Sequence, residues 1–206
     1  MRKFIKLFFN FVSQILVLPF VVLSRLEQLI TPGHSELLFN MCTHIVALFP
    51  GVPGVFLRRG FYTLALEKCS SHCYIGFGTI ISHRCTIIDK YAYIGSYALI
   101  GNAHIGEHCL IGSRVSILSG EALHELDEKG MWTPYSPNLL KKVTIAKNVW
   151  IGEGAIVSAN IGESCMVGAG SVVSSSIKPH IMVAGNPARF VKKLEFGAQK
   201  GPIKPK

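Results

Sequence analysis

One short segment concentrates the side chains that could move a proton. From Ser119 to Lys142 the chain reads SGEALHELDEKGMWTPYSPNLLKK, a polar, turn-rich stretch in which His124 is followed by Glu125 and Asp127. A histidine titrates near neutrality, and a carboxylate that holds one imidazole nitrogen leaves the other as a proton acceptor. His124 is thus a candidate general base, with Asp127 or Glu125 as a candidate orienting carboxylate; on the residues alone a lone surface histidine is bland, and the plain alternative for both carboxylates is a solvated loop. Two other sets have the right chemistry for a site. His83, His104 and His108 are possible zinc donors. The six cysteines suit disulfides or metal, but no CxxC pair occurs among them.

The elements that must position these groups follow from a period of about six. Aliphatic residues recur at Ile75, Ile81 and Ile87, slip by one to Ile94 and Ile100, shorten to Ile105, and continue at Ile111 and Ile117. After the polar segment they return at Ile145, Ile151, Val157, Ile161, Val167 and Val173. Neither an amphipathic helix nor a long alternating strand has this spacing, whereas a β-helix does. Two residues before each aliphatic stands a small or β-branched residue, among them Cys73, Thr79, Cys85, Ala92, Cys109, Ala155 and Cys165. Residues two apart in a strand share a face, so the pair fills one narrow interior. Cysteines at these positions act as small reduced hydrophobes, which implies a reducing compartment. Glycine often follows the aliphatic, as at Gly76, Gly95, Gly112, Gly152 and Gly168, and fits a corner. Each unit is a strand plus a turn, giving about two and a half coils before the break and about two after it.

This pattern resembles the hexapeptide-repeat acyltransferases over roughly residues 70 to 194, closest to the group that acetylates sugars and exopolysaccharides. The resemblance implies a mainly β fold, a left-handed parallel β-helix with three units per coil. It also implies a homotrimer with each site between chains, acetyl coenzyme A as donor, no metal, and a saccharide or lipid-linked saccharide as acceptor. That group has a loop reading SG, three residues, His, two residues, Asp, matched here by Ser119, Gly120, His124 and Asp127. The stretches KNVWIGEGAIV (147–157), VGAGSVV (167–173) and AGNPARFVKKL (184–194) are similar to its coenzyme groove. On that resemblance Trp150, Glu153, Ala169, Ser174, Arg189 and Lys192 are the coenzyme-contacting positions, with Arg189 and Lys192 suited to phosphates. The basic residue usual after the Ser174 position is replaced by Ser175, and Val157 to Ile161 is two residues short of a full unit. Competing readings are a serine or xenobiotic acetyltransferase, a zinc enzyme like the γ-class carbonic anhydrases using His83, His104 and His108, and a membrane scaffold without catalysis.

Residues 1–69 are of another kind. Arg2, Lys3 and Lys6 precede an uncharged run from Leu7 to Ser24, long enough for a minimal span. No small-x-small cleavage site follows, so a signal peptide fits poorly. Lys3, Lys6, Asn10, Ser13 and Gln14 share one helical face, while Phe4, Leu7, Phe8, Phe11 and Ile15 share the other. The readings are an interfacial or re-entrant helix, a true span, and a helix buried in an oligomer. Residues 1–30 are thus expected to meet a membrane surface, on the cytoplasmic face of a bacterial inner membrane where an acyl donor is available. Pro32 and Gly33 mark a turn, Glu36 to Leu48 a helix, Pro50 to Gly54 a break, and Phe56 to Lys68 a short helix capping the solenoid. A formal charge of +9 suits anionic headgroups. No nucleic-acid motif accompanies it, so nucleic acid is not expected as a partner. The tail 195–206, rich in Gly, Pro and Lys, carries no motif.

Overall fold

A computed structural model describes residues 2–31, 35–120, 124–133 and 139–195, excluding the side chains of 2–6. The turn expected at Pro32 and Gly33 and the tail from 196 onward lie outside the described residues. Three helices, α1 (Arg2–Ile30), α2 (Leu37–Ala47) and α3 (Gly51–Ala65), precede short strands that form three parallel sheets. The first sheet stacks β1 (Lys68–Cys69), β4 (Ile87–Ile88), β7 (Ala103–Ile105) and β10 (Val143–Ile145). The second holds β2 (Tyr74–Ile75), β5 (Tyr93–Ile94), β8 (Leu110–Ile111), β11 (Trp150–Ile151), β13 (Met166–Val167) and β15 (Ile181–Ala184). An antiparallel strand, β16 (Arg189–Lys193), finishes that sheet. The third stacks β3 (Ile80–Ile81), β6 (Leu99–Ile100), β9 (Ser116–Ile117), β12 (Ile156–Val157) and β14 (Val172–Val173). Up to β12 the chain visits the sheets in rotation, one strand each; above it, isolated bridges at Ile161 and Ile177 continue the first sheet, and the whole winds a β-helix of about six turns.

The interior is the predicted column of aliphatics, with one correction of register. Ile88, not Ile87, is fully buried and pairs with Cys69 and Ile105. Its small inward companion is accordingly Thr86, fully buried with its hydroxyl donating to the Gly101 carbonyl at 2.9 Å, while Cys85 is only half-buried. Two adjacent isoleucines made both registers acceptable. The extra residue lies in the corner at 82–86 rather than between Ile87 and Ile94. Cys73, Cys109 and Cys165 are buried, none of the six cysteines is in a disulfide, and burial pushes the Cys109 thiol up to about 11. These thiols are core filling. At Gly112 the corner needs glycine, since a Cβ there would sit 2.7 Å from the Glu153 nitrogen of the next coil.

A β-helix has an open end, and the lower edge of coil one would leave backbone groups unpaired. The helices satisfy it. Arg58, fully buried, donates from Nε to the Ile75 carbonyl at 3.0 Å and from Nη1 to Ala47 and Phe49 carbonyls. Arg59 Nη1 donates to the Cys73 carbonyl at 3.3 Å. The Ile81 N–H donates to the Tyr62 hydroxyl, and the Gly78 N–H to the Ala47 carbonyl. The expected break at Pro50 to Gly54 is in fact the start of α3, because Pro53 sits in the first helical turn, where a missing N–H costs nothing.

α1 packs across α2 and α3, and its polar stripe faces inward. Ser13, Ser24 and Glu27 are buried, whereas every exposed residue of α1 from Leu7 to Leu26 is apolar. The polar face read from the sequence at Asn10, Ser13 and Gln14 thus turns toward the protein, with Ser13 buried and Asn10 and Gln14 partly so. Asn10 accepts hydrogen bonds from Arg59, and Glu27 accepts from Arg84 at 2.5 Å, from the Leu38 and Phe39 N–H groups that open α2, and from Ser35. Arg84 also reaches the Ser24 carbonyl at 2.9 Å.

Burial alone would raise the Glu27 pKa, but the hydrogen bonds from Leu38, Arg84, Phe39 and Ser35 outweigh it and hold the carboxyl at about 2, against 4.5. A depressed acid contributes stability that is complete above the unfolded value and is lost as pH falls toward the folded one. Glu27→Gln should therefore lower stability above pH 5 by on the order of 3 kcal/mol and flatten the loss between about pH 4.5 and 2, measured by urea unfolding across pH.

Candidate active site

The segment carrying His124 leaves the solenoid at the corner after β9 and returns at β10. Its neck is closed. Ser119 is buried, its hydroxyl accepts from the Asn102 N–H at 2.9 Å, and its carbonyl accepts from the Lys141 N–H at 2.9 Å. Gly120 has φ +107, a conformation that requires glycine. Beyond the neck, Leu126 bridges Trp132 in antiparallel fashion, and the Thr133 N–H donates to the Glu125 carbonyl at 2.7 Å. These bonds make a small hairpin over 125–133, turning at Gly130 with φ +74.

His124 is anchored by this hairpin, and not by the carboxylates expected to orient it. Its Nδ1 lies 2.9 Å from the Thr133 carbonyl oxygen. A carbonyl only accepts, so Nδ1 carries a proton, and in the neutral form of the ring that bond selects the tautomer with Nε2 as the acceptor. Asp127 is committed elsewhere: its Oδ1 accepts from the Lys129 and Met131 N–H groups, both at 2.9 Å, and pins the turn. The Glu125 N–H donates to the Thr133 hydroxyl, and the Glu125 side chain is exposed. Thr133 is the residue that sequence reasoning missed, because its contribution is a backbone carbonyl nine positions away.

The coenzyme candidates lie higher on the solenoid. Trp150 projects outward from β11, stacked in register between Leu110 and Met166, and is half exposed. Glu153 and Ala169 occupy successive corners between the second and third sheets, and Glu153 pairs with Arg114 at 2.6 Å. Arg189 and Lys192 are exposed on β16, opposite Ala184 and Met182. Ser174 is exposed just past β14, at the other edge of the third sheet. Glu153, Ala169 and Arg189 thus follow one edge of the solenoid and Trp150 and Lys192 the adjoining face. No hydrogen bond or ion pair joins His124 to any of them within the chain.

The three histidines weighed as zinc donors are spread over different parts of the surface. His83 Nδ1 meets Glu36 at 2.6 Å, His104 Nε2 meets Asp89 at 2.8 Å, and His108 Nε2 meets Glu107 at 3.3 Å while its ring stacks on Tyr91. Each has a carboxylate partner of its own. Among the described residues no group of three or more His, Cys, Asp or Glu side chains is arranged to hold a metal ion.

A family profile described as the hexapeptide repeat of succinyl-transferase matches residues 103–120 and 142–175, the coils on either side of the hairpin. Those coils carry the hexapeptide repeat that the profile describes. Its left-handed parallel β-helix is shared with a galactoside acetyltransferase solved in complex with coenzyme A, at 20% identity and TM-score 0.64, over 77% of this chain and 80% of that one. It is shared equally with a maltose O-acetyltransferase from Clostridium difficile 630, at 21% identity and TM-score 0.65, over 76% and 85% of the two chains. In this hexapeptide-repeat chain the matched units bracket the insertion that holds His124.

If Asp127 serves the hairpin rather than the imidazole, Asp127→Asn, which keeps the Oδ1 acceptor, should leave 125–133 as resistant to limited proteolysis as the parent. Asp127→Ala should open it to cleavage near Lys129.

Proposed function

We propose that this protein is an O-acetyltransferase that moves the acetyl group of acetyl coenzyme A to a hydroxyl of a sugar or lipid-linked saccharide, of the exopolysaccharide or O-antigen type. The observation that carries this reading is His124 held through Nδ1 by the Thr133 carbonyl, on an exposed residue whose Nε2 is left to meet an acceptor hydroxyl. The fold around it, shared with two sugar acetyltransferases, one solved with coenzyme A, supports the donor and the acceptor class.

In this mechanism Nε2 of His124 takes the proton of the acceptor hydroxyl as its oxygen attacks the thioester carbonyl. The tetrahedral intermediate collapses, the carbon–sulfur bond breaks, and the imidazolium returns its proton to the departing thiolate. The proton balance closes on one histidine and needs no covalent enzyme intermediate. Thr133 keeps the ring in the working tautomer and stabilises the imidazolium through the same carbonyl. Asp127 acts one step removed, as a positioning residue that keeps the hairpin folded.

Arg189 and Lys192 are exposed, without an ion pair among the described residues, and are free to meet coenzyme phosphates. Trp150, Glu153, Ala169 and Ser174 complete the proposed coenzyme surface. A homotrimer supplies what one chain lacks, bringing the hairpin of one subunit to the coenzyme edge of its neighbour. The apolar outer face of α1 holds the enzyme to the cytoplasmic face of the membrane, where donor and lipid-linked acceptor meet, and it gives no advantage to a small soluble acceptor such as serine.

Free-thiol release from acetyl coenzyme A in the presence of saccharide acceptors tests the assignment. His124→Ala should cut turnover by about 10²-fold or more with coenzyme binding nearly unchanged. Unchanged turnover would remove His124 from the chemistry. Arg189→Ala should raise KM for acetyl coenzyme A several-fold while leaving kcat close to the parent value.

A further inference from the structure

The cap end of the solenoid carries an arrangement that the proposed chemistry does not use. Along α1 the exposed side chains Phe8, Phe11, Ile15, Leu18, Val22 and Leu26 form a continuous apolar surface, while Ser13, Ser24 and Glu27 point into the protein. Between α1 and the start of α3 runs a groove of about 470 Å³ whose lining, Phe9, Val12, Leu16, Val52, Phe56 and Leu57 among others, is apolar. Ser13, which also borders it, turns its hydroxyl away to the Asn10 carbonyl at 2.7 Å. Polar side chains inward and apolar side chains outward is the polarity of a helix whose outer solvent is hydrocarbon.

The direction of α1 is fixed by its two ends. Asn10 is bound to Arg59, which itself holds the Cys73 carbonyl of coil one, and seventeen residues on Glu27 is bound to Arg84, in the corner between coils one and two. That stretch is about 25 Å long at 1.5 Å per residue, and both ends are tied to one level of the solenoid. The helix therefore lies across the end of the β-helix and does not project from it. A transmembrane α1 would drag the buried Arg58 and Arg84, and the coil edge they serve, into hydrocarbon.

We propose that α1 lies flat in one leaflet of an anionic bilayer, with lipid hydrocarbon filling the α1–α3 groove and the solenoid standing end-on above the membrane. This rests on the membrane association put forward above. The occupant is lipid and not a second copy of the chain, because Arg2, Lys3 and Lys6 directly precede the apolar run and match anionic headgroups, each worth about 1 kcal/mol near such a surface. Leu29 and Ile30 carry exposed apolar side chains to the end of the helix, and Leu48, Phe49 and Val52 add others outside it.

Height follows from the geometry. The His124 hairpin leaves after the third coil, two spacings of ~4.8 Å above the coil that the helices cover, and the helix layers beneath add on the order of 10 Å or more. An acyl acceptor reached from there is a sugar held roughly 20 Å off the hydrocarbon, within an oligosaccharide on a lipid carrier and beyond the first headgroup.

Single tryptophans at Phe11, Leu18 and Leu29, all exposed on one line of α1, report depth through quenching by lipids brominated at successive acyl positions, in phosphatidylglycerol–phosphatidylcholine vesicles. The two native tryptophans, Trp132 and Trp150, stand on the hairpin and the solenoid and serve as unquenched controls. The expected result is flotation of the full chain with the vesicles, one shared shallow depth for all three probes, and loss of flotation in Ile15→Glu/Leu18→Glu. Depths graded from Phe11→Trp to Leu29→Trp would overturn the flat orientation while leaving membrane association standing. No flotation, with larger oligomers in solution, would overturn the lipid occupant in favour of a second copy. Thiol release with a water-soluble saccharide, measured on the same samples, reports the acetyltransferase reading independently of all three outcomes.

Discussion

The open end of the solenoid is the constraint around which this molecule is arranged. Every coil satisfies its neighbour's backbone groups, so the first coil inherits a row of donors and acceptors with nothing beneath it. The protein answers with long polar side chains from a helix. Arg58 and Arg59 supply donors to carbonyls that would otherwise be orphaned, and the Tyr62 hydroxyl accepts the Ile81 N–H. Because these groups are buried, α2 and α3 cannot be exchanged for an arbitrary hydrophobic lid. Gly54 shows how closely the pieces fit, since a Cβ there would collide with the Phe49 carbonyl that Arg58 holds.

Much of the fold is legible in the sequence because a β-helix repeats one physical problem many times. A narrow interior accepts one large aliphatic and one small partner per face, and that pair recurs visibly from Ile75 to Val173. The reading failed where two residues fit equally well, at Ile87 and Ile88, since hydrophobicity cannot tell which of two adjacent isoleucines points inward. It failed again at α3, where Pro and Gly read as a break although a first helical turn tolerates both. The polar face of α1 was visible, but which way it turned was not. That direction depends on Arg59 and Arg84, which stand 49 and 57 residues away in sequence from Asn10 and Glu27, the side chains they bind.

The candidate site divides in the same way. The histidine was recognisable from its place in a polar interruption of the repeat, while its partner was not, because Thr133 acts through a backbone carbonyl that any residue possesses. The nearby carboxylates drew attention by their charge, yet Asp127 shapes the loop. Charge proximity in sequence is a poor guide to hydrogen bonding in a tight turn, where the nearest N–H groups of the turn itself compete for every carboxylate oxygen.

The closed neck of the hairpin also bears on how such a protein can diversify. Ala103 pairs directly with Val143 and His104 with Thr144, so the stacking of coils passes across the insertion as though it were absent. Lengthening a loop whose ends are already clamped costs only a slowly growing closure entropy, about 0.6 kcal/mol per doubling. The insertion behaves as a cassette: its length and content can drift toward new acceptors without disturbing the register of the scaffold that carries it.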